Sequence, residues 1–183
     1  MNMFMRMKNF FKTPSKKTIT RKYRETWFKF FNRDLATNET IFSAVNMRAN
    51  AISSAPVGVY KEGYKLKPNE HRLAELFKFG PNPRMTMFDF IKAMEAIRCT
   101  KGSAYAIKEY GKAGKVKALW ILNSDYVEPI IEKETEELYY KIRGLEEEKY
   151  VHNSHIIAMH FLSTDGLRGI SPLDVMRNSI DYD

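Results

Sequence analysis

The sequence predicts an α+β fold, in which N-terminal helices precede a mostly antiparallel or mixed sheet and the chain ends in the start of another helix. Two observations support this prediction. From about residue 37 to residue 101 the apolar residues recur with a helical period, and after Gly102 they alternate as in strands. Several strand-like segments then follow without helices between them, which argues against a doubly wound nucleotide-binding fold.

The bulk composition is that of a globular protein with one appendage. A length of 183 residues is enough to bury one ordinary core. Cys99 is the only cysteine, so no intramolecular disulfide can form and a reducing compartment is favoured. No apolar run has the length of a signal peptide or of a membrane-spanning helix, and we expect neither.

The first 36 residues are interpreted as a basic arm. Residues 1–34 hold ten basic and two acidic residues, a net charge of +8, which equals the charge of the whole chain. The remaining residues are therefore neutral as a group. The predicted organisation is an arm over 1–36 and a domain over 37–183.

The centre of the arm carries the strongest binding signal in the sequence. Its candidate DNA- or partner-contacting residues are Lys16, Lys17, Arg21, Lys22 and Arg24. Such a cluster attracts phosphates without reading base sequence. A solvated tail, a lid on an acidic neighbouring subunit, contact with a scaffold protein and an interfacial helix at a membrane are alternatives. Partner contact and DNA contact are favoured equally, and the membrane least.

Three helices are predicted before residue 102. The first begins behind Thr37-Asn38 and ends at Ser53-Ser54-Ala55-Pro56. Its expected apolar face consists of Ile41, Ala44, Val45, Ala49 and Ile52. The second covers His71 to Phe79 and ends at two prolines, Pro81 and Pro83. Between these helices, Val57 to Lys61 is predicted to be a strand that turns at Glu62-Gly63.

The third helix has clear signals at both ends. Thr86 and Asp89 have the spacing of a capping box, and Gly102 can close the helix. Its expected buried stripe consists of Met87, Phe90, Ile91, Met94 and Ile97.

Strands and a final helix are predicted after Gly102. The strand segments are 103–110, 115–122, 126–131, 138–143 and 155–161. Gly111 to Gly114 is a hairpin connection rather than a phosphate loop, since it lacks that spacing. Ser171, Pro172 and Asp174 have the arrangement of a helix start, with Ser171 as the N-cap.

No group of residues has the pattern of an active or metal site. The spacing of His152, His155 and His160 matches no structural zinc pattern, and in a strand His155 and His160 would point to opposite faces. Cys99 could in principle form a triad with a histidine and Asp165, but it lies near the end of an amphipathic helix without a flanking catalytic motif. We therefore expect no catalytic, cofactor-binding or metal-binding residue.

The order of motifs resembles that of the tailed-bacteriophage portal protein family, of the type found with long-tailed siphoviruses. The resembling segments are residues 41–60, His71 to Leu76, Pro81-Asn82-Pro83, Thr86 to Phe90, Gly102-Ser103-Ala104-Tyr105, Ile156 to His160, and Asp165 to Leu173. Ser103 stands where the family usually has Asn. The segment 118–127 also resembles the family but has less proline than usual.

The resemblance implies a structural protein and not an enzyme. Portal subunits form a homo-oligomeric ring, usually of twelve, at one capsid vertex of the virion, and are assembled in the host bacterial cytoplasm. The ring offers the channel for DNA packaging and later acts as the head–tail connector. Its implied partners are further copies of itself, capsid protein, scaffold, terminase, the head–tail adaptor and DNA, with no cofactor and no membrane.

The resemblance also implies that the chain holds only the N-terminal, wing-like domain of a portal. Family members continue beyond this length into the channel-lining stem and the clip, so we expect this chain not to form the tunnel by itself. Two alternatives remain from the residues alone. One is a small basic nucleic-acid-binding module, and the other is a hydrolase that uses Cys99 or the histidines.

Overall fold

The computed structural model describes residues 39–111, 114–143 and 148–180, without the side chains of 177–180. The predicted basic arm and its five candidate residues, Lys16, Lys17, Arg21, Lys22 and Arg24, lie outside this part of the chain. Within it, no helix has the length and apolarity needed to cross a membrane. The described residues all lie within the predicted domain over 37–183.

Four helices lie near their predicted positions. They are α1 (Glu39–Ser53), α2 (Arg72–Phe79), α3 (Met87–Lys101) and α4 (Pro172–Ile180). The capping box of Thr86 and Asp89 is present at the start of α3, and Gly102 ends that helix in the left-handed conformation, with φ of 78°. Ser171 Oγ accepts from Asp174 N at 3.2 Å, which confirms the predicted cap of α4.

Eight strands form three antiparallel sheets in the described residues. The strands are β1 (Tyr60–Lys61), β2 (Tyr64–Lys65), β3 (Ser103–Tyr110), β4 (Val116–Leu122), β5 (Val127–Ile131), β6 (Leu138–Ile142), β7 (Lys149–His152) and β8 (Ile156–His160). Their order is β1-β2, β4-β3-β8 and β5-β6-β7. The α+β prediction is confirmed, and every described strand pair is antiparallel, so the mixed alternative is not realised.

One predicted strand was wrong in extent, and one strand was not predicted. The strand expected over Val57 to Lys61 contains only Tyr60 and Lys61, because its one strand partner among the described residues is the equally short β2. Strand β7 was not predicted, because it has only four residues and follows the charged run Glu146-Glu147-Glu148. Residues 146 and 147 of that run lie outside the described part of the chain.

Helix α3 lies at the centre of the core. Phe90, Met94 and Ile97 are buried as predicted, whereas Met87 and Ile91 are only half-buried. The second half of α3 is buried on more than one face, a burial pattern that periodicity alone does not reveal. On α1, only Ala49 of the expected apolar face is fully buried, and Ala44 is exposed.

The outer edge of β4 is covered by α2 and by the Pro-Asn segment behind it. Arg72 donates to the carbonyls of Val116 and Lys117, both at 3.0 Å. Leu119 N donates to Pro81 O at 2.7 Å, and Asn82 Nδ2 donates to Leu119 O at 2.8 Å. Because an open sheet edge can pair with foreign strands, these contacts protect the sheet.

Candidate functional site

The family-like motifs on either side of β3 meet at one place, which we name the motif junction. It consists of Gly102, Ser103, His160, Gly169 and Ser171. Phe161 N donates to Gly102 O at 2.7 Å, and Ser171 Oγ donates to Thr100 O at 2.8 Å. The first bond joins the end of β8 to Gly102, which precedes β3, and the second joins the start of α4 to the end of α3.

Two glycines let the backbones approach at the junction. A Cβ atom on Gly102 would lie 2.6 Å from the carbonyl carbon of Ile170, and one on Gly169 would lie 2.7 Å from the backbone nitrogen of Phe161. Gly102 also has a positive φ, which L side chains rarely adopt. These positions therefore require glycine for packing reasons and not for ligand binding.

Ser103 and His160 connect the junction by side-chain hydrogen bonds. Ser103 Oγ accepts from Gly169 N at 2.8 Å and lies 3.0 Å from His160 Nδ1. Burial lowers the pKa of His160, and the nearby charge of Asp165 offsets only part of that effect. The neutral imidazole of His160 can accept a hydrogen bond from the Ser103 hydroxyl at Nδ1. The one hydroxyl group therefore bridges the loop before α4 and strand β8.

A buried carboxylate lies next to the junction on α3. Glu95 has no exposed side-chain surface and accepts from Arg48 of α1 and from Arg98, each at 2.7 Å. Burial alone would raise the pKa of Glu95, but the hydrogen bonds from Arg98 and Arg48 outweigh burial and lower it. Both guanidinium groups also lie over the ring of Phe161, at 5.4 and 5.3 Å from its centroid.

Cys99 does not have the environment of a nucleophile. Its thiol is buried and donates to Glu95 Oε1 at 3.3 Å. Burial, reinforced by the negative charge of Glu95, raises the pKa of Cys99 to about 11, whereas catalytic thiols have lowered values. Asp165 is exposed and accepts from Ser163 Oγ and from the backbone of Leu167 and Arg168. The triad of Cys99, a histidine and Asp165 is therefore not assembled.

Ser103 and His160 superficially resemble a nucleophile and its base, but the serine is only 3% exposed. Its hydroxyl oxygen is already occupied by Gly169 N. A substrate could not reach it without opening the junction. The pair is a structural contact.

His152, His155 and His160 have different nearest side-chain partners. His152 ends β7 and lies 3.7 Å from a Glu137 oxygen, and His155 lies against the ring of Tyr110. His155 and His160 were predicted to lie on one strand. This was wrong for His155, which belongs to the short 3-10 helix Asn153–His155 before β8. Among the described residues, no three His, Cys, Asp or Glu side chains are grouped as metal ligands.

The role of Glu95 was not predicted from the sequence. Its position on α3 is inside the buried half of the helix, and Arg98 follows three residues later. An acidic residue within a buried stripe with an arginine one turn away is a signal of a buried ion pair. The second partner, Arg48, is 47 residues away and has no local signal.

Comparisons with known proteins agree with the motif order. The family described as "Phage portal protein" matches residues 39–183. Comparison with curated protein sequences gave no match.

Several solved structures share the fold. They include the neck of an empty GTA particle computed with C6 symmetry (TM-score 0.67, 18% identity) and the neck of a native GTA particle computed with C12 symmetry (0.63, 18%). The virion of a native gene transfer agent particle is also similar (0.65, 17%).

These likenesses cover most of this chain but less than half of each neighbour. The covered shares of this chain are 80, 80 and 84%, in the order just given, against 40, 39 and 41% of the matched chains. The chain thus spans about two fifths of the length of these structures. With the family match over most of its length, the chain belongs to the phage portal protein family.

Proposed function

We propose that this chain acts as a structural subunit of a portal ring at the capsid vertex of a phage-like particle. There it serves DNA packaging and the joining of head and tail. The observation that carries the proposal is the family match over residues 39–183. The likeness to necks computed with C6 and C12 symmetry supports an assembly of repeated copies.

The use of the family-like motifs supports a structural role. Gly102, Ser103, Gly169 and Ser171 make backbone and hydroxyl contacts that join α3, β3 and the loop before α4. Arg72 and Asn82 cover the edge of β4. These contacts stabilise the domain.

Disruption of the gene in the phage or prophage that encodes the chain tests the proposal. We expect heads without packaged DNA and without attached tails, because the vertex would lack its connector. Supplying the intact gene in trans is the control and should restore filled, tailed particles. Filled and tailed particles from the disrupted gene would contradict a portal role.

A second candidate function is favoured by one specific observation, the net charge of +8 within residues 1–34. A small nucleic-acid-binding module would bind DNA through this arm, with an affinity that falls steeply as salt rises. A mobility-shift titration at several salt concentrations, with the full chain and with a chain lacking residues 1–34, measures this. Tight, salt-sensitive binding that the deletion abolishes, together with normal particles after gene disruption, would favour the second candidate.

A further inference from the structure

The β1–β2 hairpin presents aromatic and basic side chains that are uncovered in the described structure. Tyr60 is 61% exposed and Tyr64 is 79% exposed, the largest value among the exposed apolar and aromatic residues. Within the described part of the chain the two strands pair only with each other, and each has two residues. An isolated two-stranded hairpin is marginally stable in water, so a partner on its faces would stabilise it.

The hairpin has a defined shape. Glu62 and Gly63 both have positive φ, 52° and 86°, as the tight turn between two antiparallel strands requires. The register pairs Tyr60 with Lys65 and Lys61 with Tyr64, so each face of the hairpin shows one tyrosine and one lysine. Such faces combine an apolar surface with a positive charge.

The charge of the hairpin is positive and is not neutralised within the described part of the chain. Residues 60–67 hold three lysines and one glutamate, a net charge of +2. Lys61 and Lys65 are exposed, and no ion pair between described residues includes either of them. The hairpin therefore fits a partner that carries negative charge and some apolar surface.

The turn between β5 and β6 has the complementary character. Residues 132–137 hold four glutamates and one lysine, a net charge of −3, and all six are exposed. Ile131, which precedes the turn, is 51% exposed. The turn is held in shape because Glu132 N donates to Glu137 O at 3.0 Å and Thr135 Oγ1 donates to Glu132 Oε2 at 2.7 Å.

Two different surfaces that complement each other are what a head-to-tail contact between identical subunits needs. Tyrosine is also a residue type that is enriched at protein interfaces. We propose that the β1–β2 hairpin of one copy docks on the acidic β5–β6 turn of a second copy of this chain. This inference rests on the proposed function, because a portal ring also requires copies of this chain to lie side by side.

A zero-length carbodiimide cross-link between lysine and glutamate tests the proposal on the full chain. Equal amounts of normal and ¹⁵N-labelled chain are mixed at low salt, cross-linked and analysed by mass spectrometry. Mixed-isotope peptides that join Lys61 or Lys65 to Glu134 or Glu136 are the expected result. Their absence, or mixed-isotope links spread evenly over other exposed lysines, would overturn the proposal.

Charge reversal gives a second, reciprocal test. We expect the Lys61→Glu/Lys65→Glu chain and the Glu134→Lys/Glu136→Lys chain each to associate with itself at least about tenfold more weakly than the unchanged chain. Mixing the two variants should restore association. The unchanged hairpin of the turn variant then meets the unchanged turn of the hairpin variant, and the reversed hairpin meets the reversed turn. Sedimentation velocity measures this, and Lys78→Glu/Lys115→Glu is the matched control at two other exposed lysines.

Each remaining outcome decides the question. Failure of the mixture to associate, or single variants that associate normally, would refute the docking. A hairpin variant that associates normally but binds DNA less tightly would mean that the hairpin contacts nucleic acid instead. The portal role is tested separately, because the gene disruption reports on particles whether or not the cross-link forms.

Discussion

The motif junction and the β1–β2 hairpin differ in how closely they pack against the rest of the domain. At the junction, glycines bring backbones into contact, and Ser103 and Ser171 are buried with their hydrogen bonds made inside the domain. In the hairpin, Gly63 has open space around it and the tyrosines are largely exposed. The family-like motifs of the junction therefore build the domain. The hairpin, of which only Tyr60 belongs to a family-like segment, presents its side chains to the surface.

Glycine replacement should separate the two regions most strongly. Gly102 and Gly63 have similar positive φ, 78° and 86°, but only Gly102 has backbone atoms within reach of a new Cβ. We expect Gly102→Ala to lower the free energy of unfolding by about 3 kcal/mol or more, since strain and overpacking combine. Gly63→Ala should cost about 1 kcal/mol. Urea unfolding followed by circular dichroism measures both, and equal costs would contradict the role of the junction.

The buried ion pair beside the junction is the next most sensitive point. Glu95→Gln removes the negative charge that two guanidinium groups surround, and we expect a loss of about 3 kcal/mol in unfolding free energy. The matched control is Asp125→Asn, which breaks the exposed pair with Lys101 and should cost less than about 1 kcal/mol. The same urea titration compares them. A small effect of Glu95→Gln would show that α1 and α3 do not depend on this contact.

The junction should also respond to acid in the range where histidine titrates. The folded-state pKa of His160 is lowered, and so is that of His155, mainly by burial. The unfolded chain therefore takes up protons first, so stability is highest above about pH 6.5 and falls as pH drops towards 5. The effect of Glu95 appears only below about pH 4.5, because its pKa is lowered too.

His160→Gln is the variant that assigns this acid response to the junction. We expect a smaller decrease in unfolding free energy between pH 7.5 and 5 than in the unchanged chain, with a remainder from His155. Urea titrations at three pH values measure the slope. An identical slope in the variant would mean that the junction histidine does not contribute.

Surface charges of the hairpin should have the smallest effect on stability. The Lys61→Glu/Lys65→Glu chain should unfold within about 0.5 kcal/mol of the unchanged chain, because both side chains are exposed and without ion pairs in the described structure. Its altered property should be self-association. A large loss of stability would show that the lysines support the fold and would remove them as interface residues.

Helix ends and most strands could be predicted from local sequence. Thr86, Asp89 and Gly102 act on neighbouring backbone groups, so their pattern is sufficient to place α3. The junction could not be predicted in the same way, since Gly102 and Gly169 meet across 67 positions of sequence. The resemblance to portal proteins identified the motifs in order but not their contacts.

The β1–β2 hairpin shows that a local pattern can also predict more regular structure than forms. The alternation from Val57 to Lys61 is typical of a five-residue strand, but a strand needs a partner and β2 offers only two residues. The role of the basic arm also stays a prediction, because Lys16, Lys17, Arg21, Lys22 and Arg24 lie outside the described residues. The local pattern predicts that a segment favours a strand, and the length of the partner strand decides how far that strand extends.

The proposed role of this chain is that of a structural subunit at one vertex of a capsid. Electron microscopy of purified particles, labelled with gold-conjugated antibody against the chain after gentle opening of the heads, tests it most directly. We expect label at a single vertex per particle, at the site of tail attachment. Label spread over the whole shell, or particles that carry DNA and tails but no label, would contradict it.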